Sequence, residues 1–237
     1  MKNLENIQGS RFYGRRQSKP LKKTSAARLK EYFPIYSVAL PEDGLLDCQK
    51  FFSHDPNEVW LEIGFGKGEH LKEQAKSNPH LGIIGCEPFI NGVSGLVDHI
   101  HEEKLSNVRF FMDDARLLMD ALPDESISRS FILFPDPWPK KKHHKRRVVS
   151  PGNLKVISRI LKDKAELRIA TDHQDYRRWI LARLLENGDF TWQADGPESW
   201  HKRSANWPTT RYEQKALESG RKSAYMTFIR NPRKQIA

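Results

Sequence analysis

The sequence predicts an α/β fold in which a doubly wound, mostly parallel sheet carries helices on both faces. First, short apolar runs alternate with longer segments of helical character over about 170 residues. Second, a glycine-rich loop separates the first apolar run from the first helical segment. Third, acidic residues follow several of the apolar runs, and ligands of such sheets bind beyond the carboxyl ends of the strands.

Composition and charge narrow the class of protein. The 237 residues are enough for one sizeable core, and 38% hydrophobic with 30% charged residues indicates a globular protein. A net charge of +10 favours a polyanionic partner, with nucleic acid ahead of a membrane surface. Since no apolar run could span a bilayer or serve as a signal segment, we expect a cytoplasmic protein without a membrane partner. The two cysteines show no zinc spacing, and no metal site is expected.

The first 50 residues are predicted to be a basic N-terminal arm and lead-in, ahead of one domain over residues 51–237. Residues 1–30 carry many lysines and arginines against a single acidic residue, Glu5. This composition predicts an arm that is partly disordered when free, and residues 31–56 are predicted to be irregular. The arm is either an extra phosphate contact or a solubilising tail.

The first predicted strand covers residues 58–63 and is followed by the glycine loop at residues 64–68 and a helix over residues 69–77. The pattern is Glu-x-Gly-x-Gly-x-Gly, beginning at Glu62. Its third glycine comes one residue too early for the dinucleotide fingerprint, which disfavours a nicotinamide oxidoreductase. Such glycines let the backbone approach a ligand and turn sharply into the helix.

Acidic residues end the second and third predicted strands, at residues 81–86 and 108–112. Glu87, about twenty residues past the glycine loop, is placed to accept hydrogen bonds from both hydroxyls of a ribose; otherwise it is an exposed strand-end carboxylate. Asp114 is placed to bind the exocyclic amine of an adenine, although Asp113 or Asp114 could equally cap the next helix. The helices after these two strands are predicted over residues 89–104 and 115–122.

The fourth predicted strand, residues 127–134, runs into a corner with three prolines, which force a stiff and extended exit. Asp136 and Trp138 stand between the prolines, and residues 140–147 then hold six lysines and arginines with two histidines. This layout suits a site that holds a flat polar ring and grips phosphates nearby. Trp138 either stacks on a base or packs under the corner.

The rest of the chain continues the alternation. A helix with Ser150 at its cap and Pro151 in its first turn is predicted to reach residue 162. Asp172 lies where the fifth strand meets the next helix, either as a helix cap or as a second wall of the site. The remaining predicted elements are a strand over residues 165–170, a helix reaching residue 186, an irregular aromatic connection over residues 190–208 and a final strand over residues 224–230.

Several of these motifs together resemble a known family. They are the Glu62 glycine pattern, Glu87, Asp114, Phe134-Pro-Asp-Pro-Trp with the basic run, Ala170-Thr-Asp and Thr210-Arg-Tyr-Glu. Over about residues 55–230 the chain resembles the bacterial tRNA (guanine-N7-)-methyltransferases of the TrmB family. The resemblance implies a Rossmann-like class I methyltransferase with a seven-stranded sheet. It also implies S-adenosyl-L-methionine as cofactor and the variable-loop guanosine at position 46 of tRNA as methyl acceptor. The sequence leaves both a monomer and a homodimer open.

The resemblance also assigns residues. It implies Asp136 as the catalytic residue, and a cofactor site of Glu62, Gly64, Gly66, Gly68, Glu87, Asp114 and Asp136. It implies substrate binding by Lys140, Asp172, Thr210, Arg211, Tyr212 and Glu213. It implies RNA contacts from Lys142, His143, His144, Lys145, Arg146 and Arg147.

Two other functions stay open at this point. Enzymes that methylate exocyclic base amines commonly have an Asn/Asp-Pro-Pro-aromatic corner, and here a proline between Asp136 and Trp138 departs from that pattern. The other alternative is a non-catalytic RNA-binding protein on a methyltransferase fold. Binding of S-adenosylmethionine would favour an exocyclic-amine methyltransferase over a non-catalytic RNA-binding protein.

Overall fold

The computed structural model describes residues 14–196, 198–203, 207–208 and 211–234, apart from the side chains of residues 211, 212 and 215. The strands are β1 (Val59–Ile63), β2 (Gly82–Cys86), β3 (Val108–Phe111), β4 (Ile127–Leu133), β5 (Leu161–Thr171), β6 (Phe190–Trp192) and β7 (Ala224–Arg230). The helices are α1 (Lys23–Tyr36), α2 (Glu69–Ser77), α3 (Ile90–Glu103), α4 (Ala115–Ala121), α5 (Pro151–Ile160), α6 (Gln174–Asn187) and α7 (Arg211–Glu218). No helix in this described part is long and apolar enough to cross a membrane.

The strands of the described residues form one seven-stranded sheet with the order β3-β2-β1-β4-β5-β7-β6. The pairs from β3 to β5 are parallel, whereas β7 runs antiparallel to both β5 and β6. The chain order reverses between β1 and β4, which is the point where ligands of doubly wound sheets bind. The predicted fold class is confirmed.

The central strands of the sheet are buried on both faces, whereas buried and half-buried residues alternate along β7. Every residue of β1 and β2 is buried. Neighbouring residues serve opposite cores: Leu61 and Ile132 belong to one apolar cluster, and Trp60 and Phe131 belong to the other. Helices cover both clusters, so the carboxyl edge of the sheet is left to form a site.

Helix α1 corrects the prediction for the N-terminal region, because residues 31–36 are helical instead of irregular. Its apolar side chains Leu29, Tyr32 and Phe33 pack with the core cluster on that face. Arg28 also pairs with Asp98 of α3. Pro34 stands in the last turn of this helix, which ends two residues later at Tyr36.

Strand β6 corrects the prediction of an irregular connection over residues 190–208. It pairs with β7 in an antiparallel ladder, and Trp192 lies opposite Phe228. Three residues are too few for a periodic pattern, so only the pairing with a strand about 35 residues later reveals it. Strand β5 also begins at Leu161, four residues before the predicted start, because α5 ends at Ile160.

Candidate functional site

A cavity of about 470 Å³ opens at the carboxyl edge of the sheet, where β1, β2, β3 and β4 end. It gathers several residues that the sequence analysis singled out, among them Gly64, Gly66, Glu87, Asp114 and Asp136. Leu133 and Met119 contribute apolar side chains to the lining of the cavity. Charged and polar side chains such as Arg15, Arg116 and Asn153 complete the lining, and a concave site where polar groups converge is the usual form of a small-molecule site.

The glycine loop passes close to the cavity because its backbone adopts left-handed conformations. Gly64 has φ +76° and Gly66 has φ +60°, which favour glycine. A Cβ added to Gly64 would meet nothing within 4 Å, so the backbone there faces open space. At Gly92 of α3, an added Cβ would lie 2.2 Å from the carbonyl oxygen of Gly66. Helix α3 therefore packs directly against the loop.

Glu87 holds the loop and the start of α3 together. Its Oε2 accepts a hydrogen bond from the N–H of Gly66 at 2.9 Å, and its Oε1 accepts one from the N–H of Phe89 at 3.0 Å. Burial raises the pKa of Glu87 to about 7, against the opposing effect of these two N–H groups, and the charge of Asp136 adds to the rise. The carboxyl group therefore changes its ionisation near neutral pH.

Asp114 is the cap of α4, one of the two roles that the sequence left open, and it also lines the cavity. Its carboxylate caps α4 by accepting from the N–H of Arg116 at 3.0 Å, and it lines the cavity. The Arg116 side chain also donates to both carboxylate oxygens. Burial alone would raise the pKa of Asp114, but the hydrogen bonds from Arg116 outweigh it and lower the pKa. Asp113 instead is buried and pairs with Arg16 at 2.9 Å.

The proline corner holds Asp136 at the rim of the cavity. Phe134 (φ +51°) and Trp138 (φ +42°), on either side of Asp136, both adopt left-handed backbone conformations. The N–H of Phe134 donates to the carbonyl of Ala170 at 2.8 Å, which ties the corner to β5. Loss of hydration at this site raises the pKa of Asp136 above its ordinary value.

The basic run is mostly a solvent-facing surface beside this corner. Lys140, Lys141, Lys142 and Lys145 are exposed, and His143 and His144 are half-buried. Arg146 lies over the ring of Trp138 at 4.9 Å, and His143 meets the edge of the same ring. Trp138 lines the cavity with these two residues packed against it.

Arg147 departs from its predicted role as an RNA contact, because only 1% of it is exposed. Its guanidinium lies 4.9 Å from the ring centres of Tyr176 and Trp179. Its Nε donates to the carbonyl of Pro137 at 2.9 Å, and Nη2 donates to Asp175 at 2.6 Å. Two aromatic rings about thirty residues later in the chain bury this one member of the run.

Other predicted site residues lie outside the lining of the cavity. Glu62 is buried beneath the loop, where it accepts from Nδ1 of His70 at 2.8 Å. Gly68 caps α2 and packs against Leu96. Asp172 pairs with Arg221 at 2.7 Å. Glu62 and Gly68 thus lie at the two ends of the glycine pattern, outside the lining of the cavity.

The predicted substrate segment around α7 is only partly described. Glu213 is buried, accepts a short hydrogen bond from the hydroxyl of Tyr225 and pairs with Arg203 at 3.4 Å. Thr210 lies outside the described residues, and Arg211 and Tyr212 belong to α7 without described side chains. Within the described part of the chain, no group of three or more His, Cys, Asp or Glu side chains is arranged to hold a metal ion.

The start of the described chain also reaches the cavity. Gly14 and Arg15 line it, and the carbonyl of Arg16 accepts from the N–H of Ile90 at 2.9 Å. The N–H of Ser18 donates to Asn91 at 3.0 Å. From residue 14 onward, the predicted arm therefore lies on the domain. A basic segment without apolar periodicity gives no local sign of such contacts.

Comparisons with known proteins identify relatives of this chain. A family model described as "Putative methyltransferase" matches residues 56–226. A tRNA (guanine-N(7)-)-methyltransferase of Rhodospirillum rubrum is 44% identical in an alignment of 229 residues that covers 94% of this chain and 89% of that protein. One of Ruegeria sp. (strain TM1040) is 47% identical over 92% of this chain and 87% of its own.

Solved structures share the fold at low identity. The crystal structure of the 16S rRNA methyltransferase KamB is 14% identical, has a TM-score of 0.54, and is matched over 83% of this chain and 99% of its own. An antibiotic-related methyltransferase is 18% identical with a TM-score of 0.50, over 75% of this chain and 89% of its own. The fold is therefore that of Rossmann-like methyltransferases. Since the sequence relatives match over nearly their whole length, the chain belongs to the family of tRNA (guanine-N(7)-)-methyltransferases.

Proposed function

We propose that this enzyme transfers the methyl group of S-adenosylmethionine to N7 of the guanosine at position 46, in the variable loop of tRNA. The observation that carries the proposal is the place of Asp136, on the rim of the strand-end cavity and at the start of the exposed basic run. A cofactor-sized cavity, a carboxylate and a phosphate-binding surface then meet at one point. The predicted cytoplasmic location is part of the same proposal.

The residues of the cavity fit S-adenosylmethionine. The open backbone at Gly64 gives the methionine part room to approach. Glu87 keeps acceptor capacity for ribose hydroxyls beyond its two backbone hydrogen bonds, because an ionised carboxylate has about four acceptor positions. Asp114 stands where an adenine amine would bind, and Met119 and Leu133 offer apolar contact to the ring.

The acceptor chemistry explains why one carboxylate is enough. S-adenosylmethionine supplies a sulfonium methyl group. Guanine N7 has an in-plane lone pair and carries no proton, so no general base is required. The methylated ring is cationic, and the Asp136 carboxylate stabilises the charge that develops on it or accepts hydrogen bonds that orient the guanine. Alignment of the methyl group with N7 supplies the larger part of the rate.

The basic surface suits the proposed RNA. Lys140, Lys141, Lys142 and Lys145 are exposed beside Asp136, in a chain whose net charge is +10. Such a surface binds phosphates with a strong dependence on salt. In the proposed complex, the phosphates near the variable loop lie against the basic run and the guanine reaches the cavity rim.

The raised pKa of Glu87 predicts that cofactor affinity depends on pH. Ribose hydroxyls donate to the ionised carboxylate, and a group with a pKa of about 7 is mostly protonated at pH 6. We expect the Kd for S-adenosylmethionine to rise by about tenfold from pH 8 to pH 6, since each pH unit below the pKa costs up to about a factor of ten. Isothermal titration calorimetry measures this. The variant Glu87→Gln binds more weakly, and its Kd should lack this component of the pH dependence; an identical pH profile in both proteins would contradict the assignment.

The proposal is tested by methyl transfer from labelled S-adenosylmethionine to an unmodified tRNA transcript, with the product mapped by chain cleavage at 7-methylguanosine. The expected result is a single cleavage at position 46. A matched transcript with adenosine at that position serves as the control and should accept no label. Label without cleavage would move the acceptor to another atom, and no label with the cofactor bound would reject the proposed substrate.

A further inference from the structure

Arg147 is the buried member of a run whose lysines are exposed. Its guanidinium carbon lies 4.9 Å from the ring centres of both Tyr176 and Trp179. Its Nε and Nη2 donate to Pro137 and Asp175. Among the described residues, Nη1 has no hydrogen-bond partner. The two aromatic rings therefore supply much of the environment of this cation.

Burying a guanidinium costs desolvation free energy unless its charge and hydrogen-bond partners are well placed. The burial of Arg147 therefore needs a functional explanation. The counter-charge is Asp175, whose side chain is 58% exposed. A phosphate contact does not account for the burial, because the Arg147 side chain is 0% exposed and could not reach RNA without rearrangement. Arg147 is among the residues that line the strand-end cavity, and its bond to Pro137 ties it to the proline corner.

The carbonyl of Pro137 is the group through which Arg147 contacts the corner. Pro137 directly follows Asp136 and directly precedes Trp138, whose φ is +42°. Phe134, two residues before Asp136, has φ +51°. Left-handed conformations of non-glycine residues persist only where the surroundings hold them. The bond from Phe134 to Ala170 holds one end of the corner, and the bond from Arg147 holds the other.

We propose that Arg147 is a positioning residue that fixes the proline corner, and through it the Asp136 carboxylate, instead of a residue that contacts RNA. The role rests on the proposed function of Asp136. The rigid guanidinium fork suits the task, because it spans from the Pro137 carbonyl to Asp175 on α6 while its faces lie against two rings. A lysine has neither the fork nor the flat faces.

The test compares Arg147→Lys and Arg147→Met with Lys145→Met, a change in the exposed part of the same run. At saturating S-adenosylmethionine and tRNA, Arg147→Lys should lower kcat by about 10- to 100-fold, the scale of an ångström-sized misplacement. Its Kd for tRNA should stay within about twofold, and the slope of log affinity against log salt should not change. Lys145→Met should instead lose tRNA affinity and not kcat, and its slope of log affinity against log salt should be smaller by about 0.7–0.9.

A double-mutant cycle with Asp136→Ala shows whether Arg147 acts through Asp136. If it does, Arg147→Lys lowers kcat much less in the Asp136→Ala background than in the wild type, because coupled residues are not additive. Additive losses would overturn the proposal, as would a weaker tRNA affinity with unchanged kcat. A normal kcat for Asp136→Ala itself would instead reject the proposed function of Asp136, so the two failures are distinct.

Folding of each variant is checked by thermal unfolding and by its Kd for S-adenosylmethionine. If the Arg147 variants do not fold, Asp175→Asn decides, since it removes only the charge of the exposed partner. The proposal then predicts that Asp175→Asn lowers kcat by less than the fall expected for Arg147→Lys and that it keeps the tRNA affinity of the wild type. A wild-type kcat for a folded Asp175→Asn protein would then count against it.

Discussion

Replacing Asp136 by alanine is expected to lower the turnover number by about 10²- to 10³-fold, the cost of removing one group that stabilises developing charge. The Kd for S-adenosylmethionine should change far less, because Glu87 and the glycine loop remain in place. The reason is chemical: N7 has no proton to lose, so the carboxylate acts on the charge or the orientation of the guanine. Single-turnover kinetics at saturating substrates measure the loss directly.

The variant Asp136→Asn separates the two actions of the carboxylate. Asparagine keeps an acceptor oxygen and removes the negative charge. A loss as large as that of alanine would indicate that charge stabilisation dominates, and a nearly normal rate would indicate orientation. Wild-type turnover in Asp136→Ala would contradict both roles and leave the rim of the cavity without a catalytic group.

The parts of the site that could be predicted from the sequence depend on local constraints. Glycines that need positive φ, prolines that stop a strand and acidic residues at strand ends are visible in short segments. The cavity accordingly brings together Gly64, Glu87, Asp114 and Asp136. Glu62 belongs to the same glycine pattern, but it supports the loop from below through His70. The sequence pattern therefore indicates that Glu62 belongs with the glycine loop, but it does not show whether the side chain faces the cavity.

The parts that could not be predicted depend on distant partners. Arg147 resembles its neighbours in sequence, and only Tyr176 and Trp179 on a later helix make it a buried residue. Strand β6 exists because β7 pairs with it. Helix α1 carries apolar side chains at Leu29, Tyr32 and Phe33, and their contacts with the core stabilise a helix where the sequence predicted an irregular segment.

Replacing Gly92 by alanine should weaken S-adenosylmethionine binding by at least about tenfold, because overpacking at a tight contact forces the backbone to shift. The new Cβ would lie 2.2 Å from the carbonyl oxygen of Gly66 and 3.1 Å from Cγ of Glu87. The first neighbour is backbone and cannot rotate away. The glycine loop and the Glu87 carboxylate would therefore both move, although Gly92 itself carries no side chain toward the ligand.

Gly152→Ala is the matched control for this prediction. It is also a helical glycine, but an added Cβ there meets nothing within 4 Å. Alanine in a helix is favoured over glycine by about 1 kcal/mol, so the control should be as stable as the wild type or more stable, with unchanged cofactor affinity. Gly92→Ala should lose about 1–3 kcal/mol of unfolding free energy together with its affinity. A folded Gly92→Ala protein with wild-type affinity would show that α3 does not set the position of the loop, and the support for the cofactor would then have to come from Glu62 and His70 beneath it.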